Sequence, residues 1–529
     1  MKGGFIMQVN QFLEISAQKY PDKHAVCYHN QWKTFAEIDI LSNKVGNYLR
    51  ENGIQRGDRV ALLYENSFDY IIGYYAILKI GAVTVALNTE TTSEALIYLL
   101  NNSGAKAIIT NNKYSKHLIT ALKKAPHLKE IIIDQEDLSE YEKIKHCNQI
   151  YLREIYAHGK SNHPGIRCID IDLASIVYTS GSTGKPKGVT LTHLNIVSNT
   201  RSIVKYLELR PEDRIMVVLP FHYIYGKSLL NTHFFVGGSV VIDNRFAYPN
   251  VILETMKKTK ATGFSGVPST FMILLNKSSV RKYKFESLRY LTQAGGAMAP
   301  VVQKEVANVF KPARLFIMYG ATEASARLSY LDPDMLPNKW GSIGKAIPNV
   351  DLFVADDKGQ ELPQGAVGEI VARGSNLMVG YWKDPEETAK VLKHGLYYTG
   401  DLGKMDEEGF LYVVGRTKDI IKVGGERVSA KEIEETILEI NQVHEVAVVG
   451  VNDETLGEAI KAFIVTKDNG ELNKMKIKDF LKKKLPPYKQ PTYFEFRESL
   501  PKNESGKIMK EVLRNMANET KLNTIKNNI

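Results

Sequence analysis

From Ala25 to Leu87 the sequence alternates short apolar runs with longer segments whose apolar residues recur every three or four positions. Ala25–Tyr28, Arg59–Tyr64 and Val83–Leu87 read as strands, and Ala36–Arg50 and Phe68–Lys79 as the helices between them. Such an alternation predicts an α/β fold with a largely parallel sheet covered by helices. The theme returns later: Ser175–Tyr178, Arg214–Leu219, Ser239–Ile242 and Arg314–Met318 are apolar runs followed by loops rich in Gly, Ser, Thr or His. Loops after strand ends are where an α/β sheet places its ligands, so chemistry is expected there.

At 529 residues the chain exceeds the ~100–200 residues of one domain, and its punctuation changes twice. From about Gly341 it becomes a series of Gly-, Asp- and Pro-bounded short strands, such as Val367–Arg373 and Phe410–Val414, which predicts a β-rich subdomain. A boundary follows at Gly415–Asp419. Residues 1–415 are therefore expected to form a large N-terminal domain of layered α/β subdomains plus the β-rich one, and residues 416–529 a small α+β C-terminal domain. In the latter, Ser429-Ala430-Lys431-Glu432 has the form of a capping box opening a helix. Glu445–Val451, Ala459–Val465 and Thr492–Phe496 read as strands, and the polar tail Asn518–Ile529 is expected to fray.

Composition excludes several classes. With 43% hydrophobic and 24% charged residues the chain is neither disordered nor fibrous. No run of 18 apolar residues occurs; the richest region, Val217–Ile242, is broken by Pro220, His222, Lys227, Asn231 and His233. The first residues lack a continuous apolar stretch, so a cytoplasmic location is expected. Three cysteines without CxxC spacing fit neither a disulfide framework nor a structural zinc site. The net charge of +10 is diffuse, apart from Lys474, Lys476, Lys478, Lys482, Lys483, Lys484 and Lys489 on a segment of helical periodicity. That segment reads as a solvated helix face or a docking site for an acidic partner. Nucleic acid is not an expected partner.

Tyr178–His193 is the most informative stretch. Thr179, Ser180, Gly181, Ser182, Thr183 and Gly184, followed by Lys185, Lys187 and Gly188, come directly after an apolar strand, so backbone N–H and hydroxyl groups can converge on a phosphate. The spacing is not that of a Walker A loop, because Pro186 stands where the second glycine is needed.

This stretch resembles the phosphate-loop signature of the adenylate-forming superfamily of acyl-CoA synthetases, peptide-synthetase adenylation domains and beetle luciferases. Six further segments resemble its signatures in order: Leu219–Gly226, Gln293–Met298, Met318–Ser325, Tyr397–Gly403, Gly415–Val428 and Pro501–Lys507. The resemblance spans nearly the whole chain and implies ATP, Mg²⁺ and a thiol acceptor, either CoA or a carrier-protein phosphopantetheine. It implies Mg²⁺ on Glu323, phosphate on the Thr322 hydroxyl, and ribose on Asp401 and Arg416. Gly295, Gly296 and Ala297 would lie against adenine, with Tyr319, next to Gly320, stacking on it. Lys507 resembles the lysine that bridges carboxylate and α-phosphate, offsetting the repulsion of two anions. Lys418 resembles the hinge about which a mobile C-terminal domain turns between half-reactions, and Gly424 and Gly425 would line the thiol channel.

His222 sits in the run resembling the acyl-pocket gate, as a positioned aromatic rather than a general base, since a thiol of pKa ~8.5 needs little help. Tyr223, Tyr225, Val267 and Thr270 are candidate pocket liners. Amino-acid-activating relatives carry aspartate where His222 stands, so an ammonium-bearing substrate loses its ion pair. Ala430 stands where many relatives have proline. The expected enzyme is an AMP-forming acid–thiol ligase for a fatty, short-chain or aryl acid. Its rivals are an amino-acid-activating enzyme loading a carrier protein and an inactive ligand-binding paralogue.

Overall fold

The computed structural model describes residues 7–134, 141, 144–179, 185–423, 426–453, 457–467, 472–502 and 508–526. Of the sequence candidates, Ser180, Gly181, Ser182, Thr183, Gly184, Gly424, Gly425 and Lys507 lie outside these residues.

Four sheets organise the described residues. The eight-stranded sheet contains, in spatial order, Leu173–Thr179, Val83–Ala86, Arg59–Leu63, Ala107–Thr110, Glu130–Ile133 and, at its edge, Asn148–Tyr151, all parallel. Lys187–Thr192 and Gly380–Tyr381 add antiparallel to one edge. The nine-stranded sheet runs through Arg314–Tyr319, Tyr290–Gln293, Gly263–Gly266, Arg214–Val217, Ser239–Ile242 and His24–Tyr28, again parallel. Near-continuous burial of these strands explains why they read as apolar runs rather than alternating ones. The α/β expectation holds, with one surprise: His24–Tyr28 joins the nine-stranded sheet beside Ser239–Ile242, while the next strands, from Arg59 to Thr192, build the other sheet. The first segment thereby staples the two layers together.

Helices Phe68–Lys79 and Ile224–Val236 lie buried between these layers. Tyr70 donates to the Phe221 carbonyl at 2.9 Å, and Tyr75 stacks on Phe234 at 5.4 Å. The third sheet is antiparallel, built from Val350–Ala355, Gly368–Gly374, Leu392–Lys393, Leu396–Met405 and Leu411–Arg416, as the change of punctuation predicted.

The fourth sheet takes all its strands from Ile420–Val423, Glu426–Ser429, Val443–Asp453, Gly457–Thr466 and Tyr493–Phe496. Helix Ala430–Leu438 starts at Ser429, whose hydroxyl accepts from the Glu432 amide at 3.3 Å. Only this half of the capping box forms, because the Glu432 carboxylate is taken by the Lys489 ammonium at 2.8 Å. The lysine-rich segment is helical over Lys474–Lys482 and buries Ile477 and Leu481. The expected frayed tail is a correction: helix Lys510–Lys526 runs through Asn518. Leu513 and Ala517 are buried against Ala447, Val449 and Phe463, and Asn518 accepts from the Asn452 amide at 3.2 Å, so docking outweighs the tail's polarity.

Candidate active site

The candidate residues gather where the carboxyl ends of the nine-stranded sheet meet the edge of the eight-stranded sheet and the third sheet. Arg314–Tyr319 ends in Gly320, where a Cβ would meet the Ala326 carbonyl at 2.0 Å, so only glycine allows the chain to fold back. The return is made by Ser325 and Ala326, both with positive φ (53° and 112°), an arrangement L-residues rarely adopt. Between them, the turn Thr322–Ala324 projects Glu323.

Glu323 is held from two sides. Its backbone carbonyl accepts from the Met378 amide at 2.7 Å, and its carboxylate accepts from the Tyr381 hydroxyl at 2.7 Å. Tyr381 lies on the edge strand that pairs with Lys187–Thr192, so the acidic turn is tied to the arm following the phosphate loop. Burial, then the Glu323 charge, push the Tyr381 phenol far up, which keeps it a donor. The Lys187 ammonium lies 5.2 Å from the Tyr381 ring centroid and pairs with Glu387. Lys187 is thus engaged by a carboxylate, and a phosphate contact requires exchange of that pair. Thr179 ends its strand with its hydroxyl 3.5 Å from the Lys187 carbonyl.

Strand register builds a second cluster. Asp401 lies directly opposite Arg416 in the third sheet, and the two form an ion pair at 2.9 Å. Tyr319 donates to the other Asp401 oxygen at 2.6 Å. Asp401 raises the Arg416 guanidinium, and burial with the Asp401 charge drives the Tyr319 phenol well above its ordinary value. The carboxylate is thus oriented at 7% exposure, with lone pairs to spare for a vicinal diol. Gly295, Gly296 and Ala297 are exposed after strand Tyr290–Gln293, which pairs with the strand ending at Tyr319, and Gly295 has φ 83° with a hypothetical Cβ 3.0 Å from Val267.

The acid-gate candidates lie at the start of helix Ile224–Val236. His222 packs on Tyr223 with ring centroids 4.5 Å apart. Burial, with the Lys227 charge second, lowers the His222 imidazole to about 3, so it is neutral at physiological pH and a poor base. The Tyr225 and Thr270 hydroxyls are both engaged within the fold. The Tyr225 hydroxyl meets the Thr292 hydroxyl at 2.9 Å while the Arg327 guanidinium covers its ring at 4.0 Å, and Thr270 caps its own helix by accepting from the Val267 amide at 3.3 Å. Lys418 falls in the short turn Thr417–Asp419 that joins the third and fourth sheets.

Three side chains that contact these residues or their elements were not among the sequence candidates: Tyr381, Arg327 and Lys227. Only Lys227 left a signal, as a charge interrupting the most apolar region of the chain.

The sequence profile described as AMP-binding enzyme matches residues 13–382, and that described as AMP-binding enzyme C-terminal domain matches residues 432–507. The chain belongs to the AMP-binding enzyme family. This AMP-binding enzyme is an AMP-forming acid–thiol ligase and works with ATP and Mg²⁺. It is 33% identical over 534 residues to the long-chain-fatty-acid–CoA ligase of Bacillus subtilis (strain 168), covering 96% of this chain and 94% of that one. The crystal structure of the anthranilate CoA ligase AuaEII with anthranoyl-AMP superposes with a TM-score of 0.89 at 26% identity, covering 97% of this chain and 98% of that one. The Mycobacterium tuberculosis fatty acyl CoA synthetase superposes with a TM-score of 0.76 at 28% identity, covering 97% and 99%.

Among the described residues no group of three His, Cys, Asp or Glu side chains is placed to hold a metal. Among the described residues, no helix is long and apolar enough to cross a membrane.

Proposed function

We infer that this ligase is an acyl-CoA synthetase acting on fatty acids, with short-chain and aryl acids as neighbouring substrate classes. The carboxylate attacks the α-phosphorus of ATP to give acyl-AMP and pyrophosphate, and the CoA thiol then displaces AMP. The observation that carries this reading is the uncharged acid gate: the neutral His222 occupies the place where an amino-acid enzyme needs an anion. The fatty-acid ligases among its relatives, and their CoA acceptor, support the choice of acid and thiol.

In this reading Asp401 and Arg416 take the ribose, Tyr319 and Gly295–Ala297 the adenine face, and Thr179 to Gly184, Lys187 and Thr322 the phosphates. Glu323 supplies the protein ligand for Mg²⁺, whose charge eases the approach of carboxylate to triphosphate. Lys507 bridges the two anions, Lys418 is the hinge at the 415/416 division, and Gly424 and Gly425 admit the thiol. His222 positions, with Tyr223, Tyr225, Val267 and Thr270 around the acyl group. A cytoplasmic location is part of the same reading, supported by three unpaired cysteines.

Mass spectrometry of products from an acid library with ATP and CoA tests it. Acyl-CoA and AMP are expected with fatty acids; ADP in place of AMP overturns the reading. Lys507→Ala is expected to abolish acyl-AMP formation yet spare thioester formation from supplied acyl-AMP.

A further inference from the structure

Lys227 is fully buried, and no carboxylate among the described residues is paired with it. Its ammonium donates to the Ser175 hydroxyl at 3.2 Å and lies 5.5 Å from the Tyr74 ring centroid. Lys79, also buried, shows the usual solution: its ammonium meets Asp39 at 2.6 Å and Asn43 at 2.7 Å. Lys227 also sits in the first turn of helix Ile224–Val236, where aligned peptide dipoles already leave a positive end. An apolar side chain of similar length would fill the space without either penalty. A residue that opposes both burial and the helix dipole points to a role beyond packing.

Its position suggests which role. His222, at the acid gate, has a buried Nε2 without a hydrogen-bond partner among the described residues and feels the Lys227 charge. One face of the helix turns Lys227 to strand Leu173–Thr179, which leads into the phosphate loop. The other turns Tyr225 to Thr292, three residues before Gly295. The helix that carries the unmatched positive charge thus begins at the acid gate and touches both the strand leading into the phosphate loop and the strand leading to Gly295.

We propose that Lys227 is a positioning residue for the acid: its unmatched ammonium, acting through His222 and the positive end of its helix, draws the substrate carboxylate to the gate and holds it for attack. The inference rests on the reading of this site as an acid–ATP site. In a water-poor interior a charge acts over several ångströms with little screening. Because the attraction is to the carboxylate, it is the same for short and long acyl chains.

The groups facing Lys227 are His222 from the preceding loop, Tyr74 from helix Phe68–Lys79 and the uncharged Ser175 hydroxyl from the strand. Burial lowers Lys227 to about 7, His222 is already neutral, and burial raises Tyr74. Of these groups Lys227 alone changes charge near neutrality.

The test is ATP–pyrophosphate exchange with Lys227→Met, using two fatty acids of different length between about pH 6 and 9. The expected result is a rise of about tenfold in KM for both acids with KM for ATP held, and loss of the decline in kcat/KM for the acid that the wild type shows above about pH 7. Lys227→Gln, which can still bond to Ser175 but carries no charge, is expected to match Lys227→Met and serves if that variant does not fold. A folded variant with wild-type KM and pH profile overturns the proposal, as does an equal rise in KM for ATP. A wild type that forms no acyl-AMP with any acid overturns the acid–ATP reading instead.

Discussion

In the proposed assignment the two sides of the site treat charge in opposite ways. On the nucleotide side, Asp401 is matched before any ligand arrives: Arg416 neutralises one oxygen and the Tyr319 hydroxyl fixes the other. On the acid side, Lys227 is fully buried and, among the described residues, has no counter-charge, nor has the His222 Nε2 a partner. The first arrangement is preorganised for a neutral diol, which needs oriented acceptors rather than net charge. The second leaves positive potential to be satisfied by an incoming anion. Each ligand thus meets the electrostatics its own charge requires.

The largest effect that could break this contrast is on the matched side. Asp401→Ala removes a charge-assisted acceptor and leaves Arg416 and Tyr319 facing each other unpaired, a loss of about 2–3 kcal/mol. KM for ATP is expected to rise by about a hundredfold in pyrophosphate exchange, with KM for the acid nearly unchanged. If both rise together, the two sides are one electrostatic unit and the contrast is wrong.

The sequence made the layers legible because parallel strands buried on both faces must be apolar throughout, and Phe68–Lys79 and Ser239–Ile242 fall where the pattern put them. It also made the Asp401–Arg416 neighbourhood legible through motifs, though the direct pairing is a product of strand register. Tyr381 was hidden because its meeting with Glu323 depends on an edge strand crossing from a segment 58 positions away. The contacts of Tyr225 and Thr270 were hidden because residue type does not reveal which groups a buried helix turns inward; one hydroxyl bonds to Thr292 and the other caps its own helix. The tail misled for a similar reason, since two small contacts, Leu513 and Ala517, anchor an otherwise polar helix.

An intermediate effect sharpens the nucleotide side. Tyr381→Phe keeps the ring under Lys187 but removes the hydroxyl that aims Glu323, a neutral-to-charged hydrogen bond worth about 1 kcal/mol or somewhat more. Adenylation is expected to fall by about five- to tenfold, with the loss partly recovered by raising Mg²⁺ in the assay. A loss that no Mg²⁺ concentration relieves would place Tyr381 in the fold and not in the orientation of Glu323.

The smallest effect concerns stability, and it asks whether the unmatched ammonium is costly as the contrast requires. Burial lowers Lys227 from its ordinary 10.5 to about 7, so the folded chain binds fewer protons there than the unfolded chain between those values. Stability therefore rises with pH across that window: the penalty for burying the ammonium is complete below about pH 7 and gone above about 10.5. Lys227→Met has no such penalty at any pH. Its melting temperature is expected to exceed the wild type's by a few degrees at pH ~6.5, and the gap to close steadily toward pH ~9.5 as the wild-type lysine sheds its proton. A gap that stays constant over this range would mean that methionine merely packs better. A gap that closes would show that the protein carries a destabilising charge on its acid side while it neutralises the one on its nucleotide side.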